Sequence, residues 1–210
     1  MNQYNVKMVK EKNINWDNIE GLTIDNYPWY EKGLKQTTHV KTLIHENYIK
    51  IKAYCEDIHS YSKETKLNGD VYLDSCFEFF VTPEDNLGGG YFNIEINCCG
   101  VLHMSYKDEE GNRVFCNEKQ ANRINITSSI QTETKNEAED DRYWELLIAI
   151  PIEVLEEMSG KRIQYENETW YGNFYRCGGK TEPQYATWNN IEFEYPNFHL
   201  PKQFGKLVTS

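Results

Sequence analysis

A chain of 210 residues with 39% hydrophobic side chains can bury a core and fits one domain over 1–210. Its 22 Lys and Arg stand against 33 Asp and Glu, and a net charge of −11 repels phosphate backbones and anionic surfaces. Nucleic acid and membrane are therefore excluded as partners, and a neutral ligand or a cation is electrostatically easier.

Aromatics make up 14%, with 15 Tyr and 5 Trp, a composition that favours strands. Met1 to Lys12 is polar and has no apolar h-region. The expected location is the cytoplasm if the chain is full length, and extracellular if a leader was trimmed. The six cysteines (55, 76, 98, 99, 116, 177) sit largely in apolar runs and read as buried thiols. The absence of a Cys-x-x-Cys pair argues against a structural zinc site.

In chain order, a strand over His39–Glu46 is expected to pair across Glu46-Asn47 with Tyr48–Cys55, whose alternation is clean. A polar loop runs through Ser60, Lys66 and Asn68-Gly69-Asp70. Ser75–Thr82 is an apolar strand ended by Pro83, and Gly88-Gly89-Gly90 makes a turn. Tyr91–Cys98 alternates, with Phe92, Ile94, Ile96 and Cys98 inward and Asn93, Glu95 and Asn97 on the other face. Val101–Tyr106, Ile124–Ile130 and Tyr143–Ile150 follow as strands, with an acidic loop over Gln131–Arg142. Pro151 starts a helix to Met158, closed by Ser159-Gly160, and Thr169–Cys177 is the last long strand. The pattern predicts an all-β fold, an antiparallel β-sandwich of immunoglobulin-like or jelly-roll type with one short helix.

Trp16, Trp29, Trp144 and Trp170 read as core. Trp188 lies in Ala186-Thr187-Trp188-Asn189-Asn190, followed by Pro196, Pro201 and Gly205, and reads as an exposed indole on which a flat sugar ring stacks. Tyr72 is the second aromatic of such a clamp. Glu78 interrupts a phenylalanine-rich run and needs a partner. Asn93 and Glu95 share a polar sheet face that is either ligand-binding or merely solvated. Arg176 either reaches the ligand or neutralises Glu78 or Glu95. Two other readings stand beside sugar binding: a glycoside-acting enzyme using Glu78 and Glu95, and a protein-interaction sandwich.

Several segments in order carry a resemblance. They are Asp74-Ser75-Cys76-Phe77-Glu78-Phe79-Phe80-Val81, Tyr91-Phe92-Asn93-Ile94-Glu95-Ile96-Asn97 with Gly100, and Trp144 through Ile150-Pro151. Asn173-Phe174-Tyr175-Arg176 follows, then Trp188 with Phe198-His199 and Pro201 to Gly205. From about Thr38 onward the chain resembles the family 9 carbohydrate-binding modules and the wider DOMON-like sandwiches. The resemblance implies a non-catalytic module that holds a glucan- or xylan-type saccharide between two aromatic rings, often at a chain end. It assigns one ring to Trp188 with Asn189 beside it, and the binding acid to Glu78. Tyr72 stands where a Trp is typical, one extra residue separates Ser75 from Glu78, and Asn93 or Glu95 replaces a sugar-binding Arg. Structural Ca²⁺ is a further implication; the acids of Glu133–Asp141 lack EF-hand glycine and spacing and read as a solvated loop.

Overall fold

The structure, a computed structural model, describes residues 1–30, 32–131, 134 and 141–210. The acidic loop and the calcium expectation on Glu133–Asp141 fall largely outside them. Thirteen strands and two helices occur among the described residues: β1 (Gln3–Met8), β2 (Gly21–Ile24), β3 (Thr38–His45), β4 (Tyr48–Glu56), β5 (Cys76–Thr82), β6 (Tyr91–Asn97), β7 (Leu102–Lys107), β8 (Arg113–Phe115), α1 (Glu118–Ala121), β9 (Asn125–Ser128), β10 (Tyr143–Pro151), α2 (Ile152–Ser159), β11 (Thr169–Gly178), β12 (Gln184–Thr187) and β13 (Gly205–Thr209).

Hydrogen-bonded neighbours run β8-β7-β6-β5-β11-β13-β1-β3-β4-β10-β9, with β12 added to β11 and β2 to β3. The corner is β1: residues 3–6 pair with β13 and residues 7–8 with β3. Both of these ladders are parallel, whereas the other pairings are antiparallel as expected. The two halves face each other over one core. Phe77, Phe79, Phe92, Ile94 and Phe174 come from one half; Ile49, Ile51, Trp144, Leu146 and Ile148 come from the other.

The helix after Pro151 forms because the proline, with φ −62° and ψ 131°, ends β10 and caps α2. Gly160 closes it in the left-handed region at φ 68°. The second helix, α1, was not expected. Asn117 and Gln120 make a reciprocal capping box that starts it, and it ends after one turn.

The larger departure concerns β5 and β6, which are buried on both faces. The polar face of β6 is therefore not a wet sheet face. A second cluster, with Phe80, Tyr91, Tyr175, Ile191, Phe198 and Phe204, covers that outer face with the segment that follows β12. Of the five Trp, Trp144 and Trp170 are core as expected, whereas Trp16 and Trp29 are half-buried. No helix among the described residues is long and apolar enough to cross a membrane.

Candidate functional site

Register builds the site. Directly opposed residues of neighbouring strands point to the same face, and successive residues alternate. Across β6, β5, β11 and β12 one row reads Asn97, Cys76, Cys177, Tyr185. The next reads Glu95, Glu78, Tyr175, Thr187. Both rows face outward, under the covering loops. They floor a pocket of about 230 Å³ lined by Tyr72, Glu78, Glu95, Cys177, Tyr185 and the stretch Pro196–His199.

The walls are held by local chemistry. Tyr72 sits on a single turn, Val71–Leu73, whose Val71 is buried. Just after it, the Asp74 carboxylate accepts hydrogen bonds from the Lys63 and Glu64 amides and from Asn97 Nδ2. The end of β11 approaches this turn so closely that a Cβ on Gly178, at φ +71°, would lie 1.9 Å from the Asp74 carbonyl oxygen. Tyr72 remains 49% exposed and offers its ring to the pocket mouth. Phe198 lies flat on Tyr175 with ring centroids 4.2 Å apart, and the Tyr175 hydroxyl donates to its carbonyl at 3.2 Å. His199 keeps one edge in solvent and meets the Tyr91 hydroxyl through Nδ1 at 2.9 Å. Shielding of its ring, reinforced by Arg113, Lys107 and His103, holds its pKa down to about 4.

The floor is acidic and buried. Burial first, then the Cys177 thiol and Glu95, push the Glu78 carboxyl well above its ordinary range. Burial raises Glu95 as well, against the opposing pull of His103, Asn93 and Arg113. The Cys177 thiol donates to Glu78 Oε1 at 2.7 Å. A carboxyl that keeps its proton is donor and acceptor at once, whereas an ionised one only accepts. Such a floor suits hydroxyl groups, which also do both.

Of the residues singled out in the sequence, Tyr72 and Glu78 meet here, joined by Glu95. Asn93 lies on the same face, two residues before Glu95 on β6, with its own Oδ1 buried and unpartnered. The other three are elsewhere. Trp188 is 6% exposed, packed edge-on against Tyr4 and Phe174 in the inter-sheet core. A Cβ on Gly205 would lie 2.5 Å from its ring. The expectation of an exposed platform is corrected by parity: Ala186 and Thr187 belong to β12, so Ala186 and Trp188 point inward and Tyr185 points to the pocket.

Arg176 is corrected in the same way. It faces inward with Phe174, and its partner is Asp57, at 3.1 Å, rather than Glu78 or Glu95. Asn189 is also displaced from the site. It accepts from the Asn2 amide at 2.7 Å and donates to the Gln203 carbonyl at 2.9 Å, pinning the amino terminus to the covering segment. The pocket residues not assigned to the site from sequence include Tyr185, Cys177, Phe198 and His199, of which Phe198-His199 entered only as part of the family resemblance. The alternation of Gln184-Tyr185-Ala186-Thr187-Trp188 carried the signal for Tyr185.

The family model for carbohydrate-binding family 9 matches residues 4–209. A candidate carbohydrate-binding protein from Bacteroides uniformis ATCC 8492 is 26% identical, with 99% of each chain covered and a TM-score of 0.87. A family 9 carbohydrate-binding module from Caldicellulosiruptor kristjanssonii, solved with glucose, is 13% identical over 100% of this chain and 96% of its own, with a TM-score of 0.60. The same organism's module with cellotriose gives 12%, 99%, 93% and 0.57. No curated protein matches the chain. A match that spans nearly the whole length, on a sandwich of the expected architecture, places this chain in carbohydrate-binding family 9.

Proposed function

We propose that this chain binds a saccharide, without turnover, in the pocket between Tyr72 and Tyr185. The family is one of binding modules, not of enzymes. The observation that carries the reading is the pairing of two exposed-to-half-buried tyrosines with a buried acidic floor. Stacking on Tyr72, Tyr185 and the edge of Phe198 supplies apolar contact to the sugar faces. Glu78 and Glu95 orient the hydroxyls below.

The volume, about 230 Å³, is smaller than the roughly 300 Å³ at which drug-sized sites begin. One sugar ring, or one end of a glucan- or xylan-type chain, is the occupant that fits. Such binding supports the use of polysaccharides or oligosaccharides by delivering or holding chain ends. Calorimetric titration with glucose, cellotriose and xylotriose tests this. Binding that is strongly reduced by Tyr185→Ala and by Glu78→Gln is expected; undiminished binding in both variants would move the sugar out of this pocket.

A further inference from the structure

The floor of the pocket holds more than the two acids that sugar recognition uses. Cys76 and Cys177 are directly opposed on β5 and β11, and Glu78 follows two residues after Cys76 on the same face. One ligand atom from each of Cys76, Glu78 and Cys177 lies within 4.8 Å of the others, and all three side chains are buried. Cys177 Sγ donates to Glu78 Oε1 at 2.7 Å, a contact inside the cluster, and otherwise the sulfurs reach only carbonyls: Cys76 Sγ that of Phe77 at 3.6 Å and Cys177 Sγ that of Tyr72 at 3.5 Å.

A second observation lies in the same pocket, beside the cluster. Glu95 stands opposite Glu78 on β6, lines the same pocket, and is 5% exposed with its Oε2 buried and unpartnered. A buried carboxylate oxygen without a donor costs free energy unless something cationic or donating meets it. His103 and Arg113 act on Glu95 through charge alone and leave this oxygen without a donor, and the guanidinium of Arg176 cannot serve, because it sits on the inner face against Asp57 and Trp144.

We propose that Cys76, Cys177 and Glu78 form a binding site for a borderline-soft divalent ion of the zinc class, with Glu95 beside it as an outer carboxylate and the fourth position open to the pocket. Two thiolates and a carboxylate match the donor set and number that zinc takes, and a set with two sulfurs does not suit calcium or magnesium. The spacing differs from a Cys-x-x-Cys site because the sheet register, not one turn of chain, brings the sulfurs together. Entry is through the pocket, since Cys177, Glu78 and Glu95 line it while Cys76 lies behind. The fourth position opens toward the pocket, where a water or a sugar hydroxyl can take it. Uptake is a plain exchange: the two thiols and Glu78 release their protons to solvent as the ion binds, and no electron moves.

The test uses the metal alone and does not depend on sugar binding. The full chain, metal-stripped and kept under a thiol-free reductant, is titrated with Co²⁺ and then Zn²⁺. Expected are the thiolate-to-cobalt charge-transfer band and the intense visible bands of a tetrahedral site, saturating at one ion per chain and displaced by Zn²⁺. The Cys76→Ser/Cys177→Ser double variant should lose the charge-transfer band, and Glu95→Gln should weaken affinity about 10–100-fold. If the double variant does not fold, Cys177→Ala, checked by circular dichroism, takes its place. Absence of the band in the wild type, or a band that survives loss of these sulfurs and so comes from other cysteines, overturns the proposal.

Discussion

Arg176 reaches Asp57 across the inside of the sandwich, Nη2 to Oδ2 at 3.1 Å, with both side chains almost wholly buried. The same Asp57 oxygen accepts from Trp144 Nε1 at 2.9 Å, and the guanidinium lies 4.8 Å over the Trp144 ring. One strand, one loop and the opposite sheet are thus tied by a single ion pair. Removing one partner leaves an uncompensated buried charge, so Asp57→Ala should cost about 3–5 kcal/mol. Urea unfolding checks this, and sugar affinity measured well below the melting temperature should be unchanged.

Trp188 belongs to the same interior. Trp188→Ala removes an indole packed by Tyr4, Phe174 and Gly205 and should destabilise by about 3–5 kcal/mol. A platform Trp would have lost binding with little change in stability. A small change in the unfolding midpoint would therefore contradict the packing described here.

Tyr185 and Tyr72 should behave in the opposite way. Each is partly exposed, so truncation to Ala should leave the melting temperature nearly unchanged. Each should weaken saccharide binding by tenfold or more, about 1.4 kcal/mol. Titration calorimetry beside a thermal melt separates the two effects.

The buried acid on β5 should make stability depend on pH. In the folded chain the neutral Glu78 is favoured, so its pKa lies above the ordinary 4.5. Its contribution is intact below that value. It is lost as pH rises from there through the folded pKa, because the unfolded chain gives up its proton first. Glu78→Gln has no such proton to lose. Its unfolding free energy should fall less than the wild type's between pH 4.5 and neutrality, as pH-dependent denaturant curves would show.

Periodicity was the readable part of this chain. The clean alternation of Tyr48–Cys55 and the apolar run before Pro83 appear as β4 and β5. Strands of three to five residues, such as β2, β8 and β13, were not legible, because so short a run shows too little alternation. A neighbouring strand's hydrogen bonds hold them, and in β2 and β13 the buried Leu22, Ile24 and Leu207 add to that. Glu78 was recognisable as a charge in an apolar run, and Tyr72 by its place before that run.

What the sequence by itself determined was the set of faces: which side chains travel together on each strand. It could not say which face another layer covers, because that depends on chain segments far apart in sequence. Only the tertiary structure turned Trp188 and Arg176 inward, brought Tyr185 and Phe198 over the polar row of β6, and opposed Cys76 to Cys177. Parity along a strand is local, whereas burial and register between strands are set by long-range packing.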